Sequence, residues 1–137
     1  MRILHIIPNL RRGGAERLVL TICKELSKRE NIDVRIVTFS NQNEYPLYSK
    51  GLRWDVVPAT YIPSITGDDK KDISSLQKYI DDFRPDIIHT HLWEAEIVSR
   101  QVEYPHAKWF SHLHNNTIEL KKILIPFHKK DITNIYE

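Results

Sequence analysis

Arg2-Ile3-Leu4-His5-Ile6-Ile7-Pro8-Asn9-Leu10-Arg11-Arg12-Gly13-Gly14-Ala15-Glu16 is the stretch that decides the fold class. Arg2 to Ile7 is short, apolar on both faces and stopped by Pro8. That is the pattern of a parallel strand buried between two layers, not of a strand with one wet face. A polar loop follows and ends in the glycine pair. A helix is expected from about Ala15, because Ala15, Leu18, Val19, Ile22, Cys23 and Leu26 fall on one stripe of helical spacing. Glu16 in its first turn and Lys28-Arg29 near its end complement the helix dipole.

Working outward, Val34 to Phe39 and Arg53 to Val57 read as further strands. Asn41 to Lys50 between them is expected to be a loop or a poorly formed helix. Pro58 to Lys71 carries Pro63, Gly67 and an Asp-Asp-Lys-Lys run, so an exposed, mobile loop is expected there. Ile73, Leu76, Ile80 and Phe83 mark an amphipathic helix ended by Pro85. Asp86 to Thr90 gives a buried strand, Glu94 to Tyr104 a helix, and Lys108 to Leu113 a fifth strand. Strands alternating with helices imply right-handed crossovers. The fold class is therefore α/β, an open, mostly parallel, Rossmann-like sheet with helices on both faces and strand order 3-2-1-4-5. Residues 1–117 form the domain, and residues 118–137 read as an incomplete extension of it, interrupted by Pro126 and ending in mid-pattern. A complete sheet of this kind continues with another strand, so the expectation is a truncated chain.

The 137 residues suit one compact domain, and 41% hydrophobic residues can supply its core. A net charge of +2, with no long basic run, argues against nucleic acid as a partner. Cys23 is the only cysteine, which excludes an internal disulfide and a cysteine-built zinc site. Its place on the inward stripe marks it as inert core. No apolar stretch approaches the roughly 18 residues of a membrane span. The N-terminus does not look like a signal peptide, so a cytoplasmic location is the expectation.

In open parallel sheets ligands bind beyond the carboxyl ends of the strands, near the point where strand order reverses. Three segments fall on that edge. Gly13 and Gly14 join a strand to a helix, where a glycine pair lets a ligand approach the backbone and the free N–H groups favour an anion. The alternative is a tight turn that needs positive φ. The spacing is not Gly-x-Gly-x-x-Gly, so a nicotinamide or flavin fingerprint is absent. His89 and His91, two apart in a strand, share a face, with His91 nearer the exposed end. His89 suits a buried neutral imidazole. Finally, Ser111-His112-Leu113-His114-Asn115-Asn116-Thr117 ends a strand in histidines followed by amides and a hydroxyl able to grip a polyol or phosphate. His114 is the strongest single candidate, as acid, base or hydrogen-bond donor. Ser111 and His112 point to opposite faces and do not form a nucleophile–base pair. Trp54, Trp93 and Trp109 suit packing, and of these Trp93 is placed to line a cleft.

The paired His-x-His motifs also fit neutral imidazole ligands for zinc, iron or nickel. A catalytic metal site usually recruits a further ligand, often a carboxylate, and Glu94 is the only acid near either pair. The reading adopted is therefore that no residue holds a metal.

Taken together, Met1 to Pro8 followed by Gly13-Gly14-Ala15-Glu16-Arg17, then Arg84-Pro85-Asp86-Ile87-Ile88-His89-Thr90-His91, then His112-Leu113-His114-Asn115 resemble the N-terminal domain of family-4 glycosyltransferases, in order and approximate spacing. The resemblance covers residues 1 to about 117. It implies the N-terminal half of a GT-B architecture, two Rossmann-like domains facing each other across a cleft. It implies a retaining, metal-independent transfer of a hexosyl group from a nucleotide-sugar, as co-substrate rather than cofactor, to a glycan, lipid-linked or small-polyol acceptor. On this resemblance Gly13 and Gly14 approach the donor, His114 is the catalytic residue near the reacting sugar, and His91 and Asn115 line the substrate cleft. The C-terminal donor-binding domain, with its basic residues and paired glutamates, is missing from the sequence, so the chain alone is expected to be inactive. A lipid-linked acceptor would bring the parent enzyme to the inner face of a membrane. The competing functions are a non-catalytic sugar- or nucleotide-binding module, and a metal hydrolase using His89, His91, His112 and His114.

Overall fold

The computed structural model describes residues 1–112 and the strand Ile135–Tyr136. The elements in chain order are β1 (Arg2–Ile6), α1 (Gly14–Ser27), β2 (Asp33–Thr38), α2 (Pro46–Ser49), β3 (Trp54–Val56), β4 (Thr60–Ile62), β5 (Lys70–Asp72), α3 (Ser74–Phe83), β6 (Ile87–His91), α4 (Trp93–Ser99), β7 (Lys108–His112) and β8 (Ile135–Tyr136). Six strands form one sheet in the order β3-β2-β1-β6-β7-β8. Every pairing in that sheet is parallel. The five expected strands take their expected order, with the reversal between β1 and β6, and β8 joins beyond β7.

The centre of the sheet, β1 and β2, is buried on both faces because these strands carry apolar residues at odd and even positions alike. Leu4, Ile6, Val37 and Ile88 point to the side of α3 and α4, where Leu76, Ile80, Phe83, Ala95 and Val98 meet them. Ile3, Ile7, Val34 and Ile36 point to the side of α1, against Ala15, Val19, Leu20 and Cys23. Each fully buried aliphatic side chain contributes about 1.5–3 kcal/mol relative to exposure.

Three expectations differ in detail. The buried stripe of α1 is Ala15, Glu16, Val19, Leu20 and Cys23. Leu18 is exposed and Ile22 and Leu26 are half-buried. The helix lies over β1 and β2, so its flank at Ile22 and Leu26 looks along the sheet towards β6 and β7. The segment expected as a mobile loop contains an antiparallel hairpin, β4 with β5. Its turn is pinned by Asp69, which accepts from the Ser64 N–H at 2.6 Å and the Tyr61 hydroxyl at 3.1 Å. The helix expected to reach Tyr104 stops at Ser99. Turn bonds from Gln101 and Val102 follow, and Tyr104 is still buried, donating to the Pro85 carbonyl at 3.1 Å.

Candidate functional site

The carboxyl edge of the sheet carries the loop from Ile7 to Gly13, the β6–α4 joint and the end of β7. In the first, most backbone donors are already engaged. The Arg11 N–H donates to Asn9 Oδ1 at 3.0 Å, the Arg12 N–H to Glu44 at 3.1 Å, and the Gly13 N–H to the Tyr45 hydroxyl at 3.0 Å. The anion-favouring groups that remain are those of the first turn of α1, which has no side-chain cap.

Neither glycine of the pair has a positive φ, so the tight-turn explanation for them does not hold. Gly13 is extended, with φ 179°. A Cβ there would lie 2.7 Å from Glu16 Oε1, so Gly13 makes room for the Glu16 carboxylate, which folds back over the helix start. At Gly14 a Cβ would meet nothing within 4 Å. Gly14 is exposed, and no neighbour within the described residues requires it to be glycine.

At the β6–α4 joint Leu92 holds φ +73° and ψ 152°, a region that a leucine rarely enters. Its N–H donates to the His112 carbonyl at 2.8 Å and its carbonyl accepts from Glu96 N at 3.2 Å. These bonds hold the sharp exit from β6 that starts α4 directly after His91. Trp93, 38% exposed, stands at that start. Trp54 and Trp109 spend their indole N–H groups on Thr38 Oγ1 and the Tyr104 carbonyl, as packing residues do.

The parallel register places His5 beside His89 and His91 beside His112. His5, His89 and His112 line one groove with α1, and His91 stacks on His89 from two residues along the same strand. The His89 and His91 ring centres are 4.1 Å apart, and that of His5 lies 5.1 Å and 5.2 Å from them. His5 Nδ1 and His91 Nε2 share a hydrogen bond of 3.0 Å, the donor being set by the tautomer. Burial, and secondarily the neighbouring charge of His89, lowers the His5 pKa to about 3, so this ring stays neutral. His91 is fully buried and His89 half-buried, the reverse of the expected exposures. The cause is that His91 leans over β1 onto His5 instead of pointing past the strand end. The groove, of about 570 Å³, runs along the sheet face beside Ile22 and Leu26 in the later half of α1, away from the glycine pair at its start.

On the opposite face a second polar cluster ties α4 to the sheet. The buried Glu96 carboxylate accepts from Thr90 Oγ1 at 2.7 Å, from Ser111 Oγ and from Arg100 Nε at 2.7 Å. Ser111 and His112 thus face opposite ways, as alternation requires. Cys23 is buried and its thiol is pushed up to about 12, as an inert core residue should be.

Among the expected site residues, Gly13, Gly14 and His91 all stand at the carboxyl edge. His114 and Asn115 lie outside the described residues. Glu94 is exposed and outside the histidine cluster. His5 is the residue that sequence reasoning missed. Its odd position in β1 matches those of His89 and His91 in β6, a parity visible in the sequence, but the register that joins them is not.

A doubly wound α/β sheet with its loops gathered at the carboxyl edge and the reversal between β1 and β6 defines the class: a Rossmann-like domain. A profile of Glycosyltransferase Family 4 matches residues 12–130, and the chain belongs to that family, as an N-terminal domain. No curated protein sequence matches it. Among solved structures it is similar to MurG of Acinetobacter baumannii, with a TM-score of 0.56 at 11% identity. The match covers 83% of this chain and 35% of that one, so the chain spans about a third of MurG's length.

Proposed function

We propose that this chain is the acceptor-binding domain of a retaining glycosyltransferase that moves a hexosyl group from a nucleotide-sugar to a glycan, lipid-linked or small-polyol acceptor. The observation that supports this most is Gly14. It is exposed, has no positive φ and leaves open space where a Cβ would stand, directly at the start of α1. A glycine that the described fold does not need is explained by a ligand that approaches its backbone. The first turn of α1, which has no side-chain cap, adds N–H donors for a sugar hydroxyl, and the Glu16 carboxylate beside Gly13 adds an acceptor.

Retaining transfer passes through an oxocarbenium-like state in which the leaving diphosphate carries the developing charge, and positioned donors lower its energy. This chain's part is to hold the acceptor and to bring Gly13, Gly14, His114 and Asn115 to the reacting carbon, with no metal essential to the transfer. Buried beneath the edge, His91 shapes the cleft by fixing His5 and the β6 terminus. The second domain supplies most of the contacts to the nucleotide, so the chain by itself is inactive. The parent acts in the cytoplasm, and at the inner membrane face if its acceptor is lipid-linked. Among the described residues no helix is long and apolar enough to cross a membrane.

The test is a screen of nucleotide-sugars against glycan, lipid-linked and polyol acceptors, using the full-length parent with His114→Ala as control. Transfer that His114→Ala abolishes is the expected result. Transfer by the isolated chain, or none by the parent with any pair, would overturn the proposal.

A further inference from the structure

His5, His89 and His91 form a donor set of one chemical kind. Each offers a ring nitrogen, and these atoms lie within 4.8 Å of one another. Neighbouring parallel strands carry them, with His5 and His89 in direct register, so the backbone beneath the cluster is fixed before any ligand arrives. We propose that these imidazoles bind one divalent late transition-metal ion, zinc or cobalt in kind, on the α1 face of the sheet between β1 and β6.

A donor set of imidazole alone, without carboxylate, selects such ions over calcium and magnesium. Tetrahedral zinc, with Zn–N bonds of about 2.05 Å, holds two nitrogens about 3.3 Å apart. His5 Nδ1 and His91 Nε2 already stand 3.0 Å apart. They need to open by only about 0.3 Å to replace their shared proton with an ion. That proton moves to the outer nitrogen of its own ring, so each imidazole remains neutral and no proton is lost. The third nitrogen has to close by at most about 1.5 Å, which a rotation of the half-buried His89 side chain supplies. The fourth position opens on the groove, where water or His112 completes the sphere. The His112 ring centre lies 6.1 Å from that of His91 and 6.4 Å from that of His89.

Bound there, the ion clamps β1 to β6 at the centre of the sheet. The observations behind this site do not depend on the transferase reading, so the two inferences stand or fall separately.

The test uses the full chain after treatment with EDTA. Zinc at about a hundredfold above its dissociation constant is expected to raise the melting temperature by roughly 10 °C. One equivalent of cobalt is expected to give the intense visible absorption of a tetrahedral site. His89→Gln is expected to weaken binding at least about 100-fold, whereas His106→Gln, an exposed histidine elsewhere, leaves it unchanged. X-ray absorption of the zinc-loaded wild-type chain needs no variant: three or more imidazole ligands support the site. An oxygen-dominated shell, the absence of both zinc and cobalt effects, or binding indifferent to His89→Gln would overturn it.

Discussion

Lowering the pH of the metal-free chain perturbs His5 more directly than any substitution does. Its folded pKa of about 3 lies below the ordinary 6.5, chiefly through burial. Between those values the unfolded chain binds a proton that the folded chain refuses, so stability falls as pH drops. About a unit above 6.5 neither state is appreciably protonated at this ring, and the contribution vanishes. From pH 7.5 to pH 5 the linkage integral for the one group comes to about 2 kcal/mol lost. His89 and His91, whose rings flank His5, are present in both proteins when wild type is compared with a variant lacking only the His5 ring. Urea unfolding of wild type and His5→Asn at both pH values, with EDTA present, makes that comparison. Wild type is expected to lose about 2 kcal/mol more than His5→Asn over the interval. Parallel losses, within about 0.5 kcal/mol, would show that His5 is not held neutral by the fold.

Glu96→Leu removes the carboxylate shared by Thr90, Ser111 and Arg100 and leaves the Arg100 guanidinium in a mostly buried place. It is expected to destabilise the chain by about 3 kcal/mol in urea, and a loss below about 1 kcal/mol would contradict the network. Gly13→Ala forces only the mobile end of the Glu16 side chain to move. Its thermal cost is expected to stay below about 1 kcal/mol and to vanish in the Glu16→Ala background.

Much of the fold was legible because local pattern and global topology agree. Ile3 to Ile7 is apolar on both faces, as only a doubly covered strand needs, and Pro8 and Pro85 mark where elements end. Other features depend on contacts that no local pattern carries. The inward stripe of α1 runs through Leu20 instead of Leu18, which is settled only once the helix is seated on β1 and β2. The hairpin at Thr60–Ile62 and Lys70–Asp72 depends on Asp69 gathering the turn, not on any alternation of apolar residues. At the site, the glycine pair was visible but its reason was not. Positive φ and close approach give the same two letters, and only the backbone separates them. His5 escaped notice because a histidine in an apolar strand looks like core until the register sets His89 beside it.

The central claim is that the open surface at Gly14 belongs to the substrate. Its most direct test is kcat/KM of the full-length parent with Gly14→Val, measured beside the melting temperature. The account predicts stability unchanged within about 0.5 kcal/mol and a fall in kcat/KM of about 100-fold, the cost of displacing a reactant by roughly 1 Å. Full transfer activity in a normally folded Gly14→Val enzyme would contradict it.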